Sequence, residues 1–422
     1  LKLSRGLGDV YKRQVLDILT RSVVGMGLEP DPLIRDQSGN LMTDLNKLIS
    51  DLWANWVEDC DLSGENEYYA IQRLKLRSFL RDGEIFTHHL FGNIPGFQTQ
   101  SEVPLFLELL ESDSVDISFS DKKRNITQGI QKNSFGRVTN YWVNPDLTDY
   151  ASNYIPVKAS EIAHIKLCKR VNQTRGVSIF QNTLIRLSGL ENYESSELVA
   201  ARMAAAVVGV VTKGDPASYQ SPTTNLVNDG TQKRNLEFNP GSIIDELAAG
   251  ETLDIPNTNR PNSGLSEFRD SMLRAVASGV GVNFSSLSNK FEASYSAMRE
   301  ARCQQELQYN ILWSYFVRQS EVKTYKKFVL MGELAGLFSL EKANRRTIFD
   351  ASWSKPIMPW IDPKKEIESS VLALKSNIET LEDVWLRAGK KPRNQWAKLA
   401  EQQKKMEEMG LVFETQKEKN DG

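Results

Sequence analysis

The sequence predicts an α+β protein in which a helical hairpin with a small β-rich tip interrupts a mixed body, followed by a helical C-terminal block. Three observations lead to this fold class. Residues 84–167 hold short apolar and aromatic runs that are typical of strands. A long helical segment, Leu190–Val211, is separated from a second, Ser263–Val280, by a stretch rich in turn-forming residues. Residues 364–409 carry helical periodicity.

The N-terminal residues stand apart from this pattern. Residues 4–14 read Ser-Arg-Gly-Leu-Gly-Asp-Val-Tyr-Lys-Arg-Gln, which one reading frame of a common transposon-type sequencing adapter encodes. We therefore interpret residues 1–14 as a non-native tail and expect the natural N-terminal segment to be missing. A natural basic tail is the alternative. Val15–Val24 then resembles the end of a helix.

Two helices open the body. Asp44–Val57 has apolar residues three and four positions apart, and Glu67–Arg81 continues as a second helix. Between them, Asp59–Gly64 begins like a calcium-binding loop. Such a loop needs an acidic ligand at its twelfth position, where this chain has Ala70. A capped turn before a helix therefore fits better than a calcium site.

Strands are expected next. Because successive strand residues point to opposite faces, His88 and His89 cannot form one local site. The third histidine, His164, lies alone between apolar residues. The predicted strands are Glu84–Leu90, Leu105–Leu110, Val115–Phe119, Gly136–Val143, Tyr154–Val157 and Ile162–Leu167.

A basic stretch, Lys166–Arg175, precedes the hairpin. Lysine and arginine contact phosphate without sequence specificity, so Lys169, Arg170 and Arg175 are candidate DNA contacts. Two alternatives remain open. The stretch can be a solvated surface, or it can form salt bridges between subunits with the acidic front of the first hairpin helix, Glu191–Glu197.

The hairpin has an unusual composition. The back half of its first helix is small and apolar, which allows close approach of neighbouring backbones. The tip, Lys213–Asn262, contains turns and predicted strands at Asn235–Phe238, Ser242–Leu247 and Thr252–Ile255. Its acidic residues would repel DNA and could present a face to a basic partner, although solubility alone would also explain them. These residues are Asp245, Glu246, Glu251 and Asp254.

After the second hairpin helix, the chain breaks at Asn283–Ala293, and a third helix is expected from Ser294 to about Tyr325. Further helical pieces follow in residues 326–350. The proline-containing segment Trp353–Pro363 ends the body. Thr380 is predicted to cap a helix, because Asp383 follows three residues later. The last helices lie within Lys364–Ala388 and Asn394–Met409, and Gln416–Gly422 is expected to fray.

Composition excludes several function classes. The net charge of −2 over 422 residues does not suit a tight, charge-driven nucleic-acid binder. The three cysteines are far apart, which gives no disulfide framework or metal-ligand spacing. No apolar run reaches the ~20 residues of a membrane span. Because nucleotide-binding, zinc-protease and serine-hydrolase motifs are absent, we expect no enzyme, no metal and no cofactor.

A series of short motifs carries a family resemblance. Arg175-Gly176-Val177-Ser178 is followed by Asn239-Pro240-Gly241, Ile255-Pro256, Arg260-Pro261-Asn262-Ser263-Gly264 and the run Trp360–Glu366. In this order they resemble the lambda-type family of phage portal proteins, from about residue 15 onward. The resemblance implies a wing, a helical stem hairpin, a small β-rich clip and an α-helical crown. The implied segments are wing 15–186 and 294–350, stem helices 187–212 and 263–282, clip 213–262, tunnel loop 283–293 and crown 351–422.

The resemblance also implies function. Subunits would form a ring, expected to be a dodecamer, at one capsid vertex, with double-stranded DNA passing through it during packaging and ejection. The clip would dock the terminase motor and head–tail connector proteins, and the major capsid protein or scaffold would surround the ring. Assembly would take place in the host cytoplasm and the product would be part of the virion, without membrane contact. In the tunnel loop, Asn289 and Lys290 would face DNA. A structural head or tail component without a DNA channel is the alternative, and a hydrolase with dispersed acidic residues is a third interpretation.

Overall fold

The computed structural model describes residues 9–92, 101–145, 154–206, 210–213, 251–254, 264–291, 294–356, 363–390 and 392–409. Helices and small antiparallel sheets alternate along these residues, which confirms the α+β class. The helices are α1 Asp9–Val23, α2 Thr43–Glu58, α3 Tyr68–Asp82, α4 Leu184–Ala206, α5 Leu265–Val280, α6 Phe284–Ser288, α7 Tyr295–Phe316, α8 Val322–Leu334, α9 Pro363–Lys375, α10 Leu381–Arg387 and α11 Pro392–Met409. The strands are β1 Pro30–Pro32, β2 Glu84–Phe91, β3 Leu105–Leu110, β4 Ile126–Thr127, β5 Ile130–Lys132, β6 Val138–Val143, β7 Ile155–Lys158, β8 Ile162–Lys166, β9 Val210–Lys213, β10 Glu251–Asp254 and β11 Ala351–Trp353.

The chain divides into two compact units. The hairpin unit comprises residues 1–10 and 183–277, and the body unit comprises residues 11–182 and 278–422. Each unit is therefore built from two separate segments of the sequence.

Besides the two-stranded sheet β1-β11, two larger sheets form the β part of the described body unit. One has the order β3-β2-β8 and the other has the order β4-β5-β6-β7, all antiparallel. The strand expected at Val115–Phe119 is wrong. Asp116 accepts hydrogen bonds from the backbone N–H (2.7 Å) and hydroxyl (2.8 Å) of Ser118, so the chain turns here instead of extending.

The larger core of the body unit lies between α2, α3, β3 and α8. Helix α2 forms as expected, because its apolar residues recur on one face and become buried there. Trp53 and Trp56 pack with ring centroids 4.8 Å apart and both contact Phe328 of α8. A smaller core lies at the β sheets, where Phe86 and Tyr141 pack edge to face at 5.5 Å.

Between α2 and α3 the side chain of Asp61 stabilises a turn. Asp61 accepts hydrogen bonds from the hydroxyl of Ser63 (2.7 Å) and from the backbone N–H of Asn66 (3.1 Å). The turn expected before α3 is therefore present, and the Asp61 carboxylate is used within it, but the side chain of the residue that caps α3, Glu67, makes no capping hydrogen bond.

Residues within the suspected adapter tail extend the first helix. Helix α1 begins at Asp9, and Lys12 is only 5% exposed. The interpretation of residues 1–14 as non-native stays a prediction, because the remaining residues of that tail lie outside the described ranges.

The third long helix begins as expected. The Ser294 hydroxyl accepts a hydrogen bond from the N–H of Ala297 and caps α7. A π-helical turn, Val317–Glu321, joins α7 to α8, and the helix continues past Tyr325 to Leu334.

In the hairpin unit, α4 begins earlier than predicted and ends at Ala206. Val210–Lys213 forms a strand that pairs antiparallel with Glu251–Asp254, so the helix does not reach Val211. The second of these strands falls where the sequence predicts one. The remaining tip strands and turns lie in residues 214–250, outside the described residues.

The C-terminal block is helical, as expected. Thr380 and Asp383 form the capping box of α10, with the Thr380 hydroxyl accepting from the Asp383 N–H at 3.2 Å. None of the residues in α9 is buried, and Val371 and Ile378 are exposed. Gln416–Gly422 lies outside the described residues.

Candidate functional site

The basic stretch contains an exposed loop of defined shape. The side chain of Gln173 holds this loop by accepting from the backbone N–H of Lys169 (2.8 Å) and Arg170 (3.3 Å). Its amide nitrogen donates to the carbonyls of Leu167 (2.8 Å) and Arg175 (2.7 Å). The side chains of Lys169 and Arg170 are exposed at the turn. They are therefore available to a partner.

Arg175 points the other way. It is 6% exposed, and its Nε donates to the Glu84 carboxylate at 2.6 Å. The rest of its guanidinium donates to the carbonyls of Val115 (2.6 Å), Gln128 (3.0 Å) and Ser112 (2.9 Å). The expectation that Arg175 contacts DNA is therefore wrong in this fold, because its donors are occupied inside the subunit.

The Glu84 carboxylate contacts two further groups. The backbone N–H of Gly176 donates to Glu84 at 2.8 Å, and His164 Nε2 lies 3.0 Å from it. Burial lowers the pKa of His164 to about 4, although Glu84 acts in the opposite direction. Burial acts to raise the pKa of Glu84, but His164 and Arg175 outweigh it and the pKa is lowered. Glu84 is therefore the charged centre of a buried cluster.

Two glycines allow the backbone to cross at this cluster. A Cβ on Gly176 would lie 2.0 Å from the Gly83 carbonyl oxygen, and a Cβ on Gly83 would lie 2.3 Å from the backbone of Val177. Gly83 also has a φ of +92° at the end of α3. The Arg175-Gly176 pair is thus explained by packing around Glu84, a role that the sequence patterns did not indicate.

The segment expected to face the channel contains a short helix. Asn283 caps α6 by accepting from the Ser285 N–H at 3.2 Å, and Asn289 ends it with a φ of +54°. Asn289 is exposed, Lys290 is partly exposed, and the Lys290 N–H donates to the Ser288 hydroxyl at 3.3 Å. The structure therefore presents both residues just beyond the end of α6.

The acidic tip residues are placed only in part. Glu251 and Asp254 occupy the two ends of β10. Asp245 and Glu246 lie outside the described residues. Their proposed role toward a partner stays a prediction.

A second buried charge cluster was not anticipated from the sequence. Lys75 of α3 and Glu321 of the π-helical turn are both fully buried, with Nζ 3.7 Å from Oε1. The Tyr68 hydroxyl and the Gln72 amide donate to the other carboxylate oxygen at 2.6 and 2.7 Å. Because the partners lie about 250 residues apart in the chain, with separations of 253 and 249, local patterns do not reveal them.

The histidines serve separate contacts. His88 Nδ1 lies 2.9 Å from Glu108, whereas His89 Nε2 lies 3.1 Å from the Thr324 hydroxyl in α8. Within the described ranges, no group of His, Cys, Asp or Glu side chains is arranged to hold a metal ion. Among the same residues, no helix is both long and apolar enough to cross a membrane.

Comparison with known proteins identifies the family. Residues 8–312 match the family described as "Phage portal protein, lambda family". The chain is 19% identical to the "Probable portal protein" of Halomonas phage phiHAP-1, over 96% of this chain and 80% of that protein. It is 21% identical to "Portal protein B" of Escherichia phage lambda, over 63% of this chain and 56% of that protein.

A solved structure shares the fold. A chain in the "Virion of native gene transfer agent (GTA) particle" aligns with a TM-score of 0.50 and 13% identity, covering 91% of this chain and 92% of that one. The family match covers the body through α6 and most of α7, together with the whole hairpin unit apart from its first seven residues. This chain therefore belongs to the lambda family of phage portal proteins.

Proposed function

We propose that this chain is one subunit of a closed ring, a dodecamer, at a single capsid vertex, through which double-stranded DNA is packaged and ejected. The family match over residues 8–312 is the observation that carries this function. A closed ring uses heterologous contacts, so each subunit needs two different binding surfaces. The net charge of −2 suits a conduit, because a strongly basic ring would hold DNA instead of letting it pass.

The parts of the chain take roles in this proposal. The body unit supplies the wing, α4 and α5 form the stem, residues 213–262 form the clip and residues 351–422 form the crown. The clip docks the terminase motor and later the head–tail connector proteins, with Glu251 and Asp254 among its acidic groups. The ring meets the major capsid protein or scaffold during assembly in the host cytoplasm and remains in the virion. The motor supplies the energy for DNA movement.

Ring formation is the first expected result. Mass photometry of the purified chain should show a discrete oligomer, and negative-stain electron microscopy should show rings with a central hole wide enough for duplex DNA. A protein that stays monomeric at every concentration would contradict the proposal. It would favour a structural head or tail component without a DNA channel.

Lys290 is the side chain that we propose to meet DNA in the channel, next to Asn289. Lys290→Ala should leave ring assembly unchanged and slow packaging in a complementation assay. DNA retention should fall, and its logarithmic salt slope should decrease by about 1 for each phosphate that the ring no longer neutralises. Lys342→Ala is the control, because Lys342 is an exposed lysine outside this segment. Equal packaging by both variants would remove Lys290 from the channel wall.

A further inference from the structure

Two loops of the body unit present large apolar side chains to solvent. Phe135, in the turn between β5 and β6, is 93% exposed, and Val171, in the loop after β8, is 92% exposed. Lys132 Nζ donates to the Thr174 hydroxyl at 2.8 Å, which joins the bases of the two loops. The two apolar tips therefore belong to one surface.

Both loops are held in shape by side-chain hydrogen bonds. Asn133 Oδ1 accepts from the backbone N–H of Phe135 (3.0 Å) and Arg137 (2.9 Å), and Gln173 supports the second loop in the same way. A surface that is already ordered loses little conformational entropy on binding. Aromatic and arginine side chains are also the groups that most often anchor protein interfaces.

The positive charge of this surface indicates the charge of the partner that it would bind. Arg137, Lys169 and Arg170 are exposed around the two apolar tips. An acidic surface with some apolar character would complement it. We call this surface the tip patch. It comprises Phe135, Arg137, Lys169, Arg170 and Val171, and it is distinct from the β-rich tip of the hairpin.

Helix α2 carries such a complementary surface on the same subunit. The face opposite its buried residues holds exposed positions four and three residues apart, three of them acidic, with Leu48 41% exposed among them. Lys47 lies at the border of this face. We call the face the acidic stripe, comprising Asp44, Leu48, Asp51, Asn55 and Glu58.

The tip patch and the acidic stripe are separate surfaces. Helix α2 packs on the larger core, whereas β5 and β6 pack on the smaller one. A subunit can therefore offer both at once, as a ring-closing heterologous contact requires. We propose that the tip patch of one copy binds the acidic stripe of the next copy. This interface rests on the proposed ring and assigns Lys169 and Arg170 to subunit contact instead of DNA.

Charge reversal tests the pairing. The first variant carries Lys169→Glu and Arg170→Glu, and the second carries Asp44→Lys and Asp51→Lys. Each alone should raise the concentration needed for ring assembly at least about tenfold, because like charges would then face each other. An equimolar mixture of the two should restore rings, since opposite charges meet again at every contact. Lys342→Glu with Arg345→Glu is the control, because both are exposed cations outside the two surfaces.

The outcomes separate this interface from the ring itself. Restoration by the mixture, with the control variant assembling normally, supports the pairing and shows that both variants fold. Rings that form equally well from each variant alone would overturn the interface while leaving the ring intact. Normal assembly of the first variant with loss of DNA retention would mean that Lys169 and Arg170 contact DNA. Failure of the unaltered chain to form rings would instead overturn the proposed function.

Discussion

Arg175→Ala is expected to lower the free energy of unfolding of the body unit by roughly 3–5 kcal/mol, because it leaves a buried carboxylate without its cation. Glu84 would keep only the Gly176 N–H and His164, and three backbone carbonyls would lose their shared donor. Each buried acceptor left unsatisfied adds to the loss. Urea unfolding followed by tryptophan fluorescence measures the change.

Two variants test the physical reason. Arg175→Lys keeps the positive charge but lacks the fork of donors, so its stability should fall between the alanine variant and the unaltered chain. Arg170→Ala removes an exposed arginine from the same stretch and should change the free energy of unfolding by less than about 0.5 kcal/mol. Equal stability of Arg175→Ala and Arg170→Ala would show that the buried cluster does not hold this fold together.

Local patterns predicted much of the fold. Helix α2 follows from its apolar spacing, and the beginnings of α7 and α10 follow from Ser294 and from the Thr380 and Asp383 pair. These signals act over a few residues, so they are visible in a single sequence. The central strand β2 and its neighbours follow in the same way from their apolar runs.

Long-range contacts could not be predicted in this way. Strand β1 pairs with β11 across more than three hundred residues, and Pro30 and Pro32 are poor indicators of a strand. Strands β4 and β5 are two and three residues long and are flanked by residues with positive φ, so no strand pattern marks them in the sequence. These flanking residues are Asn125, Gln128 and Gly129. The strand prediction for Val115–Phe119 was wrong for a different reason. The side chain of Asp116 accepts a hydrogen bond from the Ser118 N–H and stabilises a turn within this apolar run.

The candidate site shows the same limit. Sequence placed Arg175 with Lys169 and Arg170 because the three share a basic stretch, but the fold turns Arg175 inward to Glu84, 91 residues earlier in the chain. A charge pattern in the sequence does not show which of its residues are exposed in the fold. Only the exposed ones can contact a partner. Lys169 and Arg170 remain candidates for contact with a partner, because Gln173 holds their loop at the surface.

The second large effect is expected at Lys75 and Glu321. Burial lowers the pKa of Lys75, while the charge of Glu321 acts to raise it, so the ammonium depends on this carboxylate. Glu321→Gln should lower the free energy of unfolding by roughly 3–5 kcal/mol, because Lys75 then remains buried without a counterion. Lys75→Met should cost a similar amount, since Glu321 would keep only the Tyr68 and Gln72 donors.

A double-mutant cycle identifies the cause of the loss. With both changes together, no uncompensated charge remains, so the double variant should be more stable than either single variant. The π-helical turn should persist in the double variant, because the amide oxygen of the introduced glutamine can still accept from Tyr68, which crystallography or cryo-electron microscopy can check. If the two losses instead add, each side chain stabilises the core independently, and the pairing of α3 with the π-helical turn is not what holds the buried charges in place.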